Sequence, residues 1–439
     1  MRYFRALCRI IVGVVFIISG YFKAADPIGT ELKIKEYLNV FHIGFLKAAA
    51  LPLGLILCAV EFLIGVCILK GLRMNLFTKL ALGLISLFTI VTFLNFTILP
   101  VSDCGCFGDI IKLTNFETFL KNILLLPIIL FLFFQRFKCK RIATRKWENI
   151  YIIVYLIFIL GISSFSLTIY PLLDFGTYKP GTDIAAQSNS GEYNEEYPSD
   201  INSPYSALFV YEKNGTRQKF DLNNLPDSTW RYIETETIEN KNSTEQIANM
   251  SYQNFSLKNS VNEYVTDDII HSEKPIFIVS LYKASTIGKS RVKKIVKLMR
   301  RANSLGADFY IVSGETPEET ASLFGLQPKE EQETAKPDLS DVEILYTDYK
   351  TAISLNRING GLIYINEGVI VQKWGKNPYP YKSLKNIIST DSKVITAMAI
   401  IGRNLFMEIS VIVIFFMITI VRFISKRLYI KSLFKKSEV

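Results

Sequence analysis

Six apolar runs set the plan of this chain: Leu7–Tyr21, Ala48–Leu69, Leu80–Leu99, Phe119–Phe134, Ile150–Tyr170 and Leu405–Val421. A bilayer-spanning helix takes roughly 20 mostly apolar residues, so the pattern predicts a polytopic α-helical membrane protein. The first run resembles a secretion signal, with Arg2 and Arg5 before it and Ala24 and Ala25 after it. Lys23, however, occupies a place where a cleavage site needs a small residue, so the run is read as a retained helix. The four runs within residues 1–135 are expected to pack as one membrane unit. Residues 136–172 then hold a basic loop and the fifth span. Residues 402–421 hold the sixth span and 422–439 a basic tail.

The long stretch between the fifth and sixth spans has a different rhythm. Residues 173–205 read as a flexible linker, because 184–205 are rich in Ser, Asn, Glu and Tyr and poor in aliphatic residues. Residues 206–265 alternate in short runs and predict a small β-rich element. From residue 270 to 390 the apolar period switches between 2 and 3.6, which predicts alternating strands and helices. Strands are expected at Pro275–Leu281, Phe309–Val312 and Val342–Tyr346, with a hairpin from Leu362–Ile365 to Val369–Trp374 around Asn366-Glu367-Gly368. Helices are expected at Ser290–Leu305, Pro317–Phe324, Lys350–Leu355 and Tyr381–Ile388.

The formal charge of +10 sits beside the spans. The N-terminus carries Arg2, Arg5 and Arg9; Lys70, Arg73 and Lys79 separate the second run from the third. Arg136, Lys138, Lys140, Arg141, Arg145 and Lys146 separate the fourth from the fifth, and six more basic residues follow the sixth. With six spans all four regions fall on one face, which is the cytoplasmic face by the excess of Lys and Arg. The basic residues therefore mark a lipid bilayer and call for no nucleic acid.

That topology puts Asp103-Cys104-Gly105-Cys106-Phe107-Gly108-Asp109 on the outer face, where thiols oxidise. A disulfide between cysteines one residue apart is strained, and strained bridges are the labile ones. Three readings stand: a redox-active Cys104/Cys106 pair, an inert tight turn, or a metal clip with Asp103 and Asp109. The redox-active pair is the expectation for this loop, with no metal site. Glu61 lies deep in the second span, where an ionised carboxylate is costly. It is expected to be a proton relay or quinone ligand, or else a structural hydrogen-bond partner of Asn95 or Ser19. Lys23 and Asp26 read as interface anchors, or else as a functional ion pair near the cysteine loop; His42 reads as a packing or snorkelling residue, and His271 as a histidine without neighbouring ligands.

Two motifs carry a family resemblance. Phe16-Ile17-Ile18-Ser19-Gly20-Tyr21-Phe22-Lys23-Ala24-Ala25-Asp26-Pro27 resembles the DoxX group of membrane proteins, and the Cys104/Cys106 loop resembles MauE, the methylamine-utilisation membrane protein. Together they cover about residues 5–135. The resemblance implies a bacterial inner-membrane protein that supports extracytoplasmic redox or maturation of exported, disulfide-containing proteins. A quinone is implied as a cofactor only through similarity to four-helix oxidoreductases, whose CxxC pattern is absent. The element order over residues 270–390 resembles the thioredoxin fold. Neither the Ser280–Thr286 segment nor Asn359-Gly360-Gly361 carries the cysteines or the proline of that fold's enzymes, so this domain is expected to bind a protein partner or client without thiol chemistry. The alternative is a non-enzymatic scaffold or assembly subunit.

Reporter fusions at Lys140 and Gly314 should report opposite sides of the membrane. The same side for both would overturn the six-span count.

Overall fold

The computed structural model describes residues 1–97, 113–138, 144–168, 176–184, 205–213, 216–220, 230–239, 255–324 and 342–437. Helix α1 (Arg2–Ala25) is followed at once by α2 (Pro27–Val40). The membrane part continues with α3 (Ala50–Lys70), α4 (Met74–Thr97), α5 (Asn115–Phe134) and α6 (Arg145–Thr168). With Ser392–Met417 near the C-terminus, six helices among the described residues are long and apolar enough to cross a membrane. The chain is a multi-pass membrane protein.

Helices α1 and α3 approach closely because glycines face each other. A side chain at Gly20 would meet the Phe62 backbone nitrogen at 2.5 Å, and one at Gly65 would meet the Ile17 nitrogen at 2.6 Å. Lipid offers no hydrophobic drive between helices, so such backbone-to-backbone packing is what holds them. Gly71 (φ 77°) ends α3 in the left-handed region, and its N–H donates to the Cys67 carbonyl at 2.7 Å.

The fifth span packs with the first four. Tyr151, Tyr155 and Ile159 of α6, spaced four apart on one face, are buried in the same core as Val12, Phe62, Ile85 and Ile129. The sequence break at the basic loop masked this, because a connection's charge says nothing about the face of the helix beyond it.

A three-stranded antiparallel sheet follows, β1 (Tyr205–Lys213), β2 (Thr216–Phe220) and β3 (Arg231–Glu239), with β1 in the middle. Then comes an α/β domain: α7 (Thr266–Ile270), β4 (Ile276–Leu281), α8 (Lys289–Asn303), β5 (Asp308–Ser313) and α9 (Pro317–Phe324). It continues with β6 (Glu343–Tyr346), α10 (Tyr349–Leu355), β7 (Gly361–Asn366), β8 (Val369–Trp374) and α11 (Leu384–Ser389). The sheet order is β6-β5-β4-β7-β8, parallel across β6, β5 and β4 and antiparallel from β4 through β8. Central strand β4 is buried on both faces, so it reads as an unbroken apolar run. Phe277, Val279 and Leu281 enter one core with α8, while Ile276 and Ile278 enter the other.

Both sheet edges are covered. Residues 176–184 pair with β8, where the Gly181 N–H donates to the Ile370 carbonyl at 2.7 Å, and Lys258 exchanges two hydrogen bonds with Tyr346 of β6. Covered edges remove the unpaired backbone groups that invite aggregation. The last helix, α12 (Ser392–Ser437), begins in the domain and runs without interruption through the sixth span. The expected span Leu405–Val421 is thus only part of one 46-residue helix.

Gly65→Val should lower the thermal stability of the detergent-purified protein by several degrees, because the α1 backbone cannot retreat. Gly83→Val, where nothing lies within 4 Å, should leave the melting curve unchanged.

Candidate functional site

Glu61 and Lys23 lie where neither can reach water: Glu61 is fully buried and Lys23 is 5% exposed. The Lys23 ammonium donates to Glu61 Oε1 at 2.9 Å, to Oε2 at 2.7 Å and to Ser19 Oγ at 2.9 Å. Three acceptors surround a group with three donors. Ser19 and Lys23 are one helical turn apart on α1, and Glu61 comes from the facing α3, so the glycine-mediated approach of the two helices sets the distance. Phe88 of α4 closes the site, its ring centroid 5.8 Å from the ammonium.

This corrects two readings. Lys23 is no interface anchor, since it is turned into the bundle as the counter-ion of Glu61. Nor is Asn95 a partner of Glu61: its amide donates to the Tyr37 hydroxyl at 2.6 Å. Ser19 does belong to the cluster, but through Lys23. A lysine 38 residues away in sequence leaves no local signal of the pairing.

Asp26 stands three residues beyond Lys23 and is also no simple anchor. Its Oδ1 accepts from the Gly29 N–H at 2.9 Å and caps α2, whose first residue is Pro27. Pro27 and Gly29 therefore sit in the first turn of a new helix that starts where α1 ends. The other oxygen, Oδ2, lies 3.4 Å from Arg357 Nε of the α/β domain, with both side chains largely buried. The α2 helix continues this contact. Lys35 lies 5.9 Å from the centroid of the Tyr349 ring. Burial acts to lower the Lys35 pKa, but the Glu31 carboxylate 2.6 Å away and Tyr349 outweigh it and leave the pKa raised. Tyr282, packed edge-on against Tyr349 at 6.0 Å, is pushed up by burial and then by the charge of Glu31.

Arg357 and Tyr349 make these contacts from the α/β domain, and two loops lie beside them: residues 282–286 after β4 and residues 357–360 before β7. Asn359 stitches them: its amide donates to the Lys283 carbonyl at 2.7 Å and to Thr286 Oγ1 at 2.9 Å, and its oxygen accepts from the Lys283 N–H at 3.2 Å. Ser285 donates to Glu315 through both its hydroxyl and its N–H. No histidine takes part in these contacts.

Cys104, Cys106, Asp103 and Asp109 lie outside the described residues. The helices on either side of that loop are described, and they lie together. Phe96 and Phe116 have ring centroids 5.5 Å apart, as do Phe93 and Phe119 at 5.6 Å. Thr114 and Glu117, three residues apart, form a reciprocal cap at the start of α5. This is the end of the bundle that carries Lys23, Asp26 and the docked domain. Cys8, Cys58 and Cys67 are free and buried. Among the described residues no group of three potential metal ligands occurs; His42 and His271 are exposed.

Residues 1–135 match the family described as methylamine utilisation protein MauE. This part of the chain is a MauE-like membrane domain. Residues 205–241, which contain the three-stranded sheet, match a domain of unknown function, DUF8463. A curated relative, Protein TlpB of Flavobacterium psychrophilum, is 28% identical over 152 residues, which are 33% of this chain and 39% of TlpB. The match thus spans about two fifths of that relative. No solved structure matches the chain.

Lys23→Met should cost about 3–5 kcal/mol by stranding a buried carboxylate. The double change Lys23→Met/Glu61→Leu should recover most of that loss. Thermal unfolding in detergent compares the two, and a double variant as unstable as the single would disprove the pairing energetics.

Proposed function

We propose that this chain is an inner-membrane protein supporting thiol/disulfide maturation of exported proteins, with Cys104 and Cys106 as the exchanging pair. The observation that carries this reading is a convergence. The MauE-like match includes the loop, and the described helix ends that hold the loop share one end of the bundle with the Lys23–Glu61 pair and the docked α/β domain. In this reading both termini are cytoplasmic and this end lies outside, which the even span number and the Lys and Arg excess beside the spans support.

In the proposed step a client thiolate attacks the Cys104–Cys106 disulfide and forms a mixed disulfide. A second client thiolate then displaces the chain's sulfur. The client gains a disulfide and the pair is left as two thiols. Re-oxidation of the pair delivers two electrons and two protons to an acceptor, for which a membrane quinone is the fitting class. Strain in so small a ring favours the forward exchange. Glu61 is assigned the structural role, because its charge is already matched by Lys23.

The α/β domain is read as thioredoxin-like, on the strength of its mixed sheet with a parallel half and a C-terminal hairpin. It has no cysteine between residues 173 and 401. Beside the two loops compared with that fold's thiol positions, Arg357 meets Asp26 at the start of α2 and Tyr282 lies near Glu31 of α2. This favours a second reading of the domain itself: a clamp on the membrane unit rather than a docking site for clients.

Acid-quench thiol trapping in cells tests the proposal. Wild type should show a mixture of oxidised and reduced Cys104/Cys106, and Cys106→Ser should accumulate mixed disulfides through Cys104. Cysteines that stay fully reduced, with no adduct in the variant, would leave the scaffold reading.

A further inference from the structure

The opposite end of the bundle, remote from the α/β domain, holds a second polar feature. A cavity of about 380 Å³ lies among the ends of α3, α4, α5 and α6, lined by Arg73, Arg136, Arg145 and Glu148. Three guanidinium groups against one carboxylate leave a net charge of +2 on its wall. We propose that this cavity binds a phosphate oxyanion, presented by the headgroup of an anionic phospholipid.

Juxtamembrane arginines ordinarily spread into solvent and face the bilayer surface as a loose fringe. These do not. Arg136 is fixed by donating from Nε to Asn75 Oδ1 at 3.0 Å and from Nη1 to the Phe133 carbonyl at 2.6 Å, and it stacks near the Phe133 and Phe137 rings at 3.9 and 4.5 Å. Arg73 is held by Asn149 at 2.5 Å, and its backbone lies in the left-handed region at φ 41°, a conformation that costs a non-glycine residue energy. The Arg73 Nε is buried without a hydrogen-bond partner, and its nearest charge, Glu148 Oε2, is 3.9 Å away. A buried donor left unmatched, beside two further guanidiniums, is completed by an oxyanion. The planar fork of arginine suits phosphate better than a lysine ammonium does. Basic pockets between the ends of membrane helices are a recurrent setting for lipid headgroups.

The rim supports the lipid source. Phe137 is 74% exposed and Leu76 47% exposed, so apolar surface adjoins the charged wall. A phospholipid offers its phosphate and its acyl chains in that arrangement, whereas a soluble anion would leave the rim bare. The inference does not depend on which side of the membrane this end faces, nor on the proposed thiol chemistry.

The test uses the full-length protein in detergent, titrated with phosphatidylglycerol, phosphatidylcholine, inorganic phosphate or glycerol 3-phosphate, and read by native mass spectrometry and thermal shift. Phosphatidylglycerol should bind in preference to phosphatidylcholine. Arg136→Gln and Arg145→Gln should each weaken it about tenfold, the value of one charge-assisted hydrogen bond. Lys79→Gln and Lys146→Gln, exposed basic residues of the same end, should change little. Arg145 is exposed, so its variant decides the matter even if Arg136→Gln folds poorly. Arginine-dependent stabilisation by inorganic phosphate or glycerol 3-phosphate alone would support the oxyanion site and assign it a soluble source. Equal binding of the two lipids with no effect of either soluble phosphate would overturn the proposal. So would equal losses in the lysine controls.

Discussion

An ammonium and a carboxylate buried together among apolar helices bind the architecture of this protein to one register. Lys23 and Glu61 can meet only if α1 and α3 approach to backbone contact, and they can do so only because Gly13, Gly20 and Gly65 carry no side chain. A slide of either helix by one residue would leave two charges unmatched in hydrocarbon. The pair adds little net stability over a well-packed apolar pair. Its effect is to make every other register costly, and α4 and α6 then pack against a seam whose geometry is already decided.

The same end of α1 ties the two halves of the molecule. Asp26 has two carboxylate oxygens and uses each differently, one to cap α2 and one to meet Arg357. The start of α2 and one contact of the α/β domain thus share a single side chain, one helical turn from the buried ion pair. A change at Asp26 acts on both, so its effect on the domain cannot be read from the lost ion pair alone.

The spans were legible because hydrophobic length in a bilayer has no competing explanation, and the strands and helices of the α/β domain because their apolar periods are regular. The capping box at Thr114 and Glu117 was legible because both partners lie within one turn. What sequence hid was long-range. Lys23 looked like an anchor because an isolated lysine at a helix end usually is one, and Asp26 because its partner is more than 300 residues away. The role of α6 in the core was hidden by the basic loop before it. A single carboxylate in a span fits a relay as well as a structural group, because its partner is not visible in local sequence. The chemistry of Cys104 and Cys106 still rests on spacing, location and family likeness.

The continuity of α12 has a mechanical consequence. Ile395 is buried in the α/β core, and Phe406 stacks on Phe165 of α6 at 5.7 Å, yet no proline interrupts the helix from Ser392 to Ser437. A rod of 46 residues is about 70 Å long at 1.5 Å per residue. A tilt of roughly ten degrees about its middle moves each tip by about 6 Å. Whatever leans on the α/β domain therefore displaces the basic tail on the far side of the bilayer, with the helix as lever and the bundle as fulcrum.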